Sequence, residues 1–227
     1  VGDLNWLKKN YDFQKIAIAI DELIILNIKD KRKNFELFCD TIKNISSNIF
    51  VPISAGGGVE TIDDAKEILR SGADKIVVNS LLEKEKNLKN LSKHFGNNCI
   101  IGSVDLKKEK NNYTVWKNNG QLNSQIKISE YIKKISKLPL GEIYLNSVDK
   151  DGTGQGYDFN LLNYFDENFP FPIIMAGGAG HWKHLLEGLE KIKISAVATA
   201  NLLNFINNGL INARKKIIEN NFDLPKW

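Results

Sequence analysis

Asp105 ends an otherwise apolar run, Ile100–Ile101–Gly102–Ser103–Val104. A carboxylate placed there can act as a general acid or base, or simply cap the strand or pair with Lys107. Two glycine clusters accompany it, in Ile53–Ser54–Ala55–Gly56–Gly57–Gly58–Val59 and in Ile174–Met175–Ala176–Gly177–Gly178–Ala179–Gly180. Each is a short apolar run that breaks into glycines and then enters a helical pattern. Gly57, Gly58, Gly177 and Gly178 therefore leave backbone N–H groups uncovered near helix starts, where the helix dipole also favours anions. The clusters are half a chain apart (176 − 55 = 121), and each precedes a second strand-like run, ending at Asn79–Ser80 and at Ala200–Asn201 (200 − 79 = 121). Two anion sites related in this way imply a substrate with a phosphate at each end.

A third glycine-rich stretch, Asp149–Lys150–Asp151–Gly152–Thr153–Gly154–Gln155–Gly156–Tyr157–Asp158, reads as a mobile loop near substrate. Glu22, Lys75 and Glu142 begin strand-like runs and so belong to the opposite end. On spacing alone they read as solvated charges at strand entrances. His94, His181 and His184 form no ligand cluster with carboxylates, so no metal site is expected. No hydroxyl or thiol nucleophile is flanked by an evident base, and no cofactor motif is present.

These residues need a scaffold in which strands and helices alternate. Apolar runs mark strands over 22–28, 50–55, 75–79, 99–105, 142–147, 171–176 and 195–200. They are near-continuously apolar, as parallel strands covered by helices must be. Helical patterns occupy 5–18, 34–45, 62–71, 84–95, 129–137, 160–165, 181–190 and 202–219, with Thr61 and Asp64 spaced for an N-cap. Residues 113–116 followed by Lys117–Asn118–Asn119–Gly120 read as a small hairpin with an Asn-Gly turn. Seven strands and eight helices fall one strand short of a (βα)8 barrel. The strand ending at Asp105 lacks a partner half a chain earlier (105 − 121 = −16), so the first barrel strand is expected to be absent from this sequence. The expected fold is α/β, a (βα)8 TIM barrel with a half-barrel repeat, as a single domain over residues 1–227. A flavodoxin-like open sheet is the alternative, and the half-chain symmetry disfavours it.

With 227 residues, 42% of them hydrophobic and 26% charged, one large core under a water-compatible surface is expected. No run approaches the roughly 20 apolar residues of a membrane span, and residues 1–6 have no signal-peptide pattern. The net charge of +4 is spread over helix faces, without the basic tract or interleaved aromatics of a nucleic-acid binder. Cys39 and Cys99 in apolar settings suit a reduced cytoplasmic chain.

Together these motifs resemble the cyclase subunit of imidazole glycerol phosphate synthase. The resemblance runs through Asp21–Glu22–Leu23–Ile24–Ile25–Leu26, Ala55–Gly56–Gly57–Gly58–Val59, Gly72–Ala73–Asp74–Lys75 with Asn79, Asp149–Lys150–Asp151–Gly152–Thr153 with Gly156–Tyr157–Asp158, and Ala176–Gly177–Gly178–Ala179–Gly180. It implies an enzyme that takes ammonia from a glutaminase partner, passes it through the barrel and joins it to a bis-phosphorylated ribonucleotide. By that resemblance Asp105 is one of two catalytic aspartates, the other lying in the expected missing strand. Glu22, Lys75 and Glu142 belong to a charged ring at the ammonia entrance. Gly57, Gly58, Asn79 and Ser80 form one phosphate site; Asp151, Gly152, Thr153, Gly177, Gly178, Ala200 and Asn201 form the loop and the second. Asn27 and Asn201 depart from the family's usual aspartate and serine. Ile101–Gly102–Ser103–Val104–Asp105, Leu145–Asn146–Ser147–Val148–Asp149 and Ser195–Ala196–Val197–Ala198 resemble more nearly a paralogous branch that makes acetamidino sugars for surface polysaccharides, also with a glutaminase. A non-catalytic ammonia-conducting subunit and a sugar isomerase complete the alternatives.

Overall fold

The computed structural model describes residues 4–28, 34–110, 112–117, 120–205 and 208–225. Its strands are β1 (Leu23–Leu26), β2 (Ile53–Gly56), β3 (Lys75–Val78), β4 (Ile100–Glu109), β5 (Asn112–Lys117), β6 (Leu122–Asn123), β7 (Glu142–Ser147), β8 (Ile173–Ala176) and β9 (Ala196–Val197). Seven of them pair in parallel in the order β1-β2-β3-β4-β7-β8-β9, while β5 and β6 add an antiparallel ribbon to β4. The helices are α1 (Leu4–Asn10), α2 (Phe13–Ala17), α3 (Phe35–Ser46), α4 (Ile62–Arg70), α5 (Glu85–Phe95), α6 (Ile128–Ile135), α7 (Trp182–Leu189), α8 (Asn201–Phe205) and α9 (Gly209–Glu219). This is an α/β TIM-barrel architecture, a curled parallel sheet with helices outside; among the described residues the edge strands β1 and β9 do not pair, which leaves the place of one further barrel strand between them.

Strand side chains alternate between two faces, and the core divides accordingly. Ile53, Ala55, Ile76, Val78, Ile100, Val104, Ile143, Leu145, Ile173 and Met175 point outward into the large core beneath the helices. Val77, Ile101 and Ile174 point inward and form a second, small cluster with Ile24, Tyr144, Ala196 and Ala198. An inner cluster assembled from β1, β3, β4, β7, β8 and β9 requires the sheet to curl. The inner positions also include Lys75, Ser103, Asp105, Glu142 and Asn146, so the candidate chemistry lies on the lumen face.

Register refines the internal repeat. Leu23 pairs with Ile53, and Ile143 pairs with Ile173, an offset of 120 at both strands (143 − 23 = 120; 173 − 53 = 120). Lys75 pairs with Ser54, whereas Ala196 pairs with Ile174, giving an offset of 121 there (196 − 75 = 121). The second half thus gains one residue before β9, and Gly57 and Gly58 correspond to Gly177 and Gly178.

Several elements differ from expectation for local reasons. The 5–18 helix is broken because the Asp12 carboxylate accepts from the Lys15 N–H and caps a new helix, α2. The 202–219 pattern divides into α8 and α9; Asn208, just before α9, is left-handed (φ 67°), and residues 206–207 lie outside the described residues. Residues 160–165 form a 3₁₀ turn, Phe159–Tyr164, capped by the Asp158 side chain. The Asn118–Asn119 part of the hairpin turn lies outside the described residues, although β5 and β6 pair as a hairpin. Thr61 and Asp64 form the expected capping box. Among the described residues no helix is long and apolar enough to cross a membrane.

One contact ties the chain's late and early elements. Arg214 of α9, nearly buried, donates to both carboxylate oxygens of Asp21 (3.2 and 3.0 Å), to the Pro225 carbonyl (2.8 Å) and to the Ala19 carbonyl (3.5 Å). The Asp21 side chain is 59% exposed and Arg214 only 10%, so the guanidinium's hydrogen bonds matter more than the ion pair itself. Arg214→Ala is expected to lower stability by about 2 kcal/mol, and Asp21→Asn by less than about 1 kcal/mol, in chemical denaturation. Equal losses for the two variants would contradict this assignment.

Candidate active site

Asp105 lies on the inner face near the exit end of β4, where its backbone pairs with β7 on one side and with the ribbon strand β5 on the other. Two asparagines hold the carboxylate. Asn79 Nδ2 donates to Oδ2 at 3.2 Å and to the Ser103 carbonyl at 2.9 Å, and Asn146 Nδ2 donates to Oδ1 at 3.1 Å. Burial pushes the Asp105 pKa above the ordinary aspartate range; the Asn146 hydrogen bond opposes that shift, and the negative charge of Asp151 adds to it. A carboxyl raised in this way, with both oxygens fixed, suits proton transfer near neutral pH.

The two glycine turns follow the exit ends of β2 and β8, on the same rim as Asp105. Gly57 and Gly58 have φ of 106° and 89°, and Gly177 and Gly178 have φ of 86° and 106°. A Cβ on Gly57 would come within 2.3 Å of the Asn27 carbonyl, and one on Gly177 within 2.6 Å of the Ser147 carbonyl, so both turns pack on the preceding parallel strand's end. The N–H groups of these four glycines donate to no protein acceptor among the described residues. That is the arrangement an anion-binding turn requires.

Near the second turn the 149–158 loop is anchored. Gly156 N–H donates to the Gly178 carbonyl at 2.8 Å, Tyr157 Oη to the Ala198 carbonyl at 2.9 Å, and Lys108 N–H to Asp149 Oδ2 at 2.6 Å. Gly154 approaches the Asn201 amide closely. Asp151 and Thr153 occupy the exposed tip, with the Thr153 hydroxyl donating to the Lys150 carbonyl at 2.7 Å; a Cβ on Gly152 would meet open space. Ala200 is exposed just before α8, and Asn201 opens that helix. The structure therefore gathers the loop, Gly177–Gly178 and Asn201 on one side of the rim. Ser80 starts a 3₁₀ turn, Ser80–Glu83, beyond β3. The Asn79 amide is engaged with Asp105, which gives it a positioning role there.

At the other end of the lumen, Glu22, Lys75 and Glu142 are not separate solvated charges. Lys75 Nζ donates to Glu22 Oε2 at 2.9 Å and to Glu142 Oε1 at 2.6 Å, and the Ser54 hydroxyl also donates to Glu22. All three charged side chains are about three-quarters covered. Burial alone would lower the Lys75 pKa, but the hydrogen bonds from Glu142 and Glu22 outweigh it and hold the ammonium charged above its ordinary range.

Several neighbours of the site carry no motif. Asn146 is one; the polar alternation Glu142–Tyr144–Asn146 along β7 is the signal that marks it. The ribbon contributes Trp116, opposite Asp105 in register, with Lys107 Nζ 4.4 Å above its ring and Thr114 Oγ1 accepting from its indole N–H at 2.8 Å. Tyr113 ties the ribbon to the loop through a 2.5 Å hydrogen bond to Asp158; burial first and Asp158 second push its phenol up to about 12. His181 caps α7 through Lys183 N–H, and His184 accepts from Gly180 N–H, so both have structural partners. Among the described residues no group of three or more His, Cys, Asp or Glu side chains could hold a metal ion.

With this geometry in place, comparison with known proteins is decisive. The profile of the histidine biosynthesis protein family matches residues 8–207. The chain belongs to that family. All of this chain aligns, at 42% identity, with 85% of a candidate imidazole glycerol phosphate synthase subunit, hisF2, from Parasynechococcus marenigrum strain WH8102. The imidazole glycerol phosphate synthase subunit HisF of Clostridium botulinum strain Okra is 34% identical over 90% of this chain and 82% of its own length. The HisF subunit of Hydrogenobaculum sp. strain Y04AAS1 is 34% identical over 88% and 81%.

Removing the Asn146 hydrogen bond must raise the Asp105 pKa further, because that bond favours the ionised form. The acid limb of any activity that needs ionised Asp105 is therefore expected to move to higher pH in Asn146→Ala; an unmoved limb would detach Asp105 from that titration. Stability follows the same sign. The raised native pKa means the Asp105 contribution is present below the ordinary aspartate range and is lost as pH rises through the native value. Asp105→Asn is accordingly expected to leave thermal stability at neutral pH undiminished.

Proposed function

We propose that this chain is the synthase (cyclase) subunit of an enzyme of the imidazole glycerol phosphate synthase type, fed with ammonia by a glutaminase subunit in a cytoplasmic heterodimer. The observation that carries this reading is the placement of two unlike polar groups on one lumen. The Glu22–Lys75–Glu142 triad closes the strand-entrance end, and Asp105 stands at the strand-exit end between two asparagines. A small neutral molecule can pass a hydrogen-bonded gate of this kind once Lys75 leaves one carboxylate, whereas the fixed ammonium repels a cation. The free N–H groups at Gly57–Gly58 and Gly177–Gly178 support phosphate binding at both sides of the exit rim, with Asn201, Asp151, Gly152 and Thr153 beside the second turn. Between those anchors Asp105 takes the proton from the attacking nitrogen and returns it to the group that leaves. Ser80, at the turn after β3, supplements the first phosphate position.

A second reading has specific support. Identity is 42% to the hisF2 chain against 34% to the two HisF chains, and Ile101–Gly102–Ser103–Val104–Asp105, Leu145–Asn146–Ser147–Val148–Asp149 and Ser195–Ala196–Val197–Ala198 resemble the paralogous branch. These favour a paralogue acting on an acetamido sugar with the same ammonia delivery.

The test is turnover of the purified chain with the bis-phosphorylated ribonucleotide and ammonium salt, and again with glutaminase and glutamine. Asp105→Asn is expected to slow the ammonia-driven reaction roughly 100- to 10,000-fold, with folding intact by circular dichroism; a near-normal rate would remove Asp105 from the chemistry. Glu142→Ala should impair the glutamine-driven reaction more than the ammonia-driven one, and equal effects would count against a gated entrance. Wild-type turnover on an acetamido sugar but not on the ribonucleotide would select the second reading.

A further inference from the structure

Between the charged triad and Asp105 the lumen wall is built from Ile24, Val77, Ile101, Ile174, Ala196 and Ala198. Two hydroxyls interrupt it. Ser103 and Tyr144 are direct register partners on the adjacent strands β4 and β7, and both face inward. Along β7, Tyr144 lies one inward step beyond Glu142 and one short of Asn146; along β4, Ser103 lies midway between Ile101 and Asp105. Neighbouring parallel strands are about 4.8 Å apart, so the two side chains share one level of the lumen. Neither hydroxyl has a hydrogen-bond partner among the described residues. Ser103 is buried and Tyr144 half-buried against the inner cluster.

We propose that Ser103 and Tyr144 form a polar station halfway along the lumen that binds one small neutral hydrogen-bonding molecule, which is ammonia in the reaction proposed above. Only the ligand's identity rests on that reading. Neither oxygen is among the buried side-chain polar atoms that lack a partner, so both are open to the lumen, and two side by side are satisfied together by an entering molecule that accepts from one and donates to the other. Ammonia has one lone pair and three N–H groups: the tyrosine O–H donates to the lone pair, and an N–H donates to Ser103 Oγ. Burial keeps the phenol neutral, with Asp151 and Asp105 reinforcing that, so it remains a donor throughout the accessible pH range. The station would thus hold the molecule once it has passed Lys75 and present it one inward step below Asn146 and Asp105.

The test is the Ser103→Ala/Tyr144→Phe double variant, which keeps the lumen's shape and removes two oxygens. High-resolution crystal structures of both proteins, grown in ammonium buffer, should show a solvent peak bonded to both hydroxyls in the wild type and none there in the variant. Hydroxyls bonded to each other, or no peak, would overturn the station. With glutaminase supplied, the ratio of glutamine-driven to ammonia-driven turnover should fall about fivefold in the variant, the factor carried by one net hydrogen bond. A preserved ratio would end the station's part in ammonia delivery. If the wild type turns over neither way, the proposed function fails while the crystallographic peak still decides the station.

Discussion

Lys75 is a single ammonium shared by carboxylates from two strands that do not touch its own. Glu22 belongs to the entrance of β1 and Glu142 to that of β7, each separated from β3 by one intervening strand. Two strand spacings put those backbones about 9.6 Å from that of Lys75, and the curl of the sheet turns the three side chains toward a common interior where one ammonium meets both carboxylates. The same curl makes an inner face, and with it a lumen. Partly covered charges are tolerated because each is hydrogen-bonded to the other or, for Glu22, also to Ser54. The triad is consequently a clasp that joins three strands of the sheet through one ammonium.

The exit end uses a different principle. There a carboxylate is held by neutral amides, not by a cation. Asn79 and Asn146 orient Asp105 without supplying the positive charge that would depress its pKa, so burial prevails. The two ends of one lumen thus differ in their electrostatics, a shared ammonium at one and a buried carboxyl held by amides at the other. The ribbon of β4 and β5 and the loop at 149–158, joined by Tyr113–Asp158, wall the exit so that the acid works beside organised backbone.

Much of the scaffold is written in local pattern. Apolar runs locate all seven parallel strands, and the glycine pairs mark both rim turns, because continuous burial and positive φ each impose strong composition demands. What escapes is face and register. Nothing in the run from Ile100 to Val104 tells that Ser103 looks into a lumen, and Asn146 seems an ordinary strand residue until Asp105 is placed beside it. Glu22, Lys75 and Glu142 carry the signature of solvated ends because their partners lie 53 and 67 residues apart in sequence. Matching Ala55 to Ala176 gives an offset one too large, because the extra residue before β9 shifts only the last strand. The continuation of β4 to Glu109 leaves no apolar signal, because its partner there is antiparallel β5 and Lys108 and Glu109 are exposed.

Arg214 and Asp21 are separated by 193 positions in sequence. On a ribosome, Asp21 is therefore made long before the guanidinium that will grip it exists. Parallel strands already demand distant contacts, and distant contacts slow folding. A nascent chain must keep its leading β1 region unlatched until the trailing helix emerges, which makes that window the moment of greatest exposure to mispairing or holdase capture.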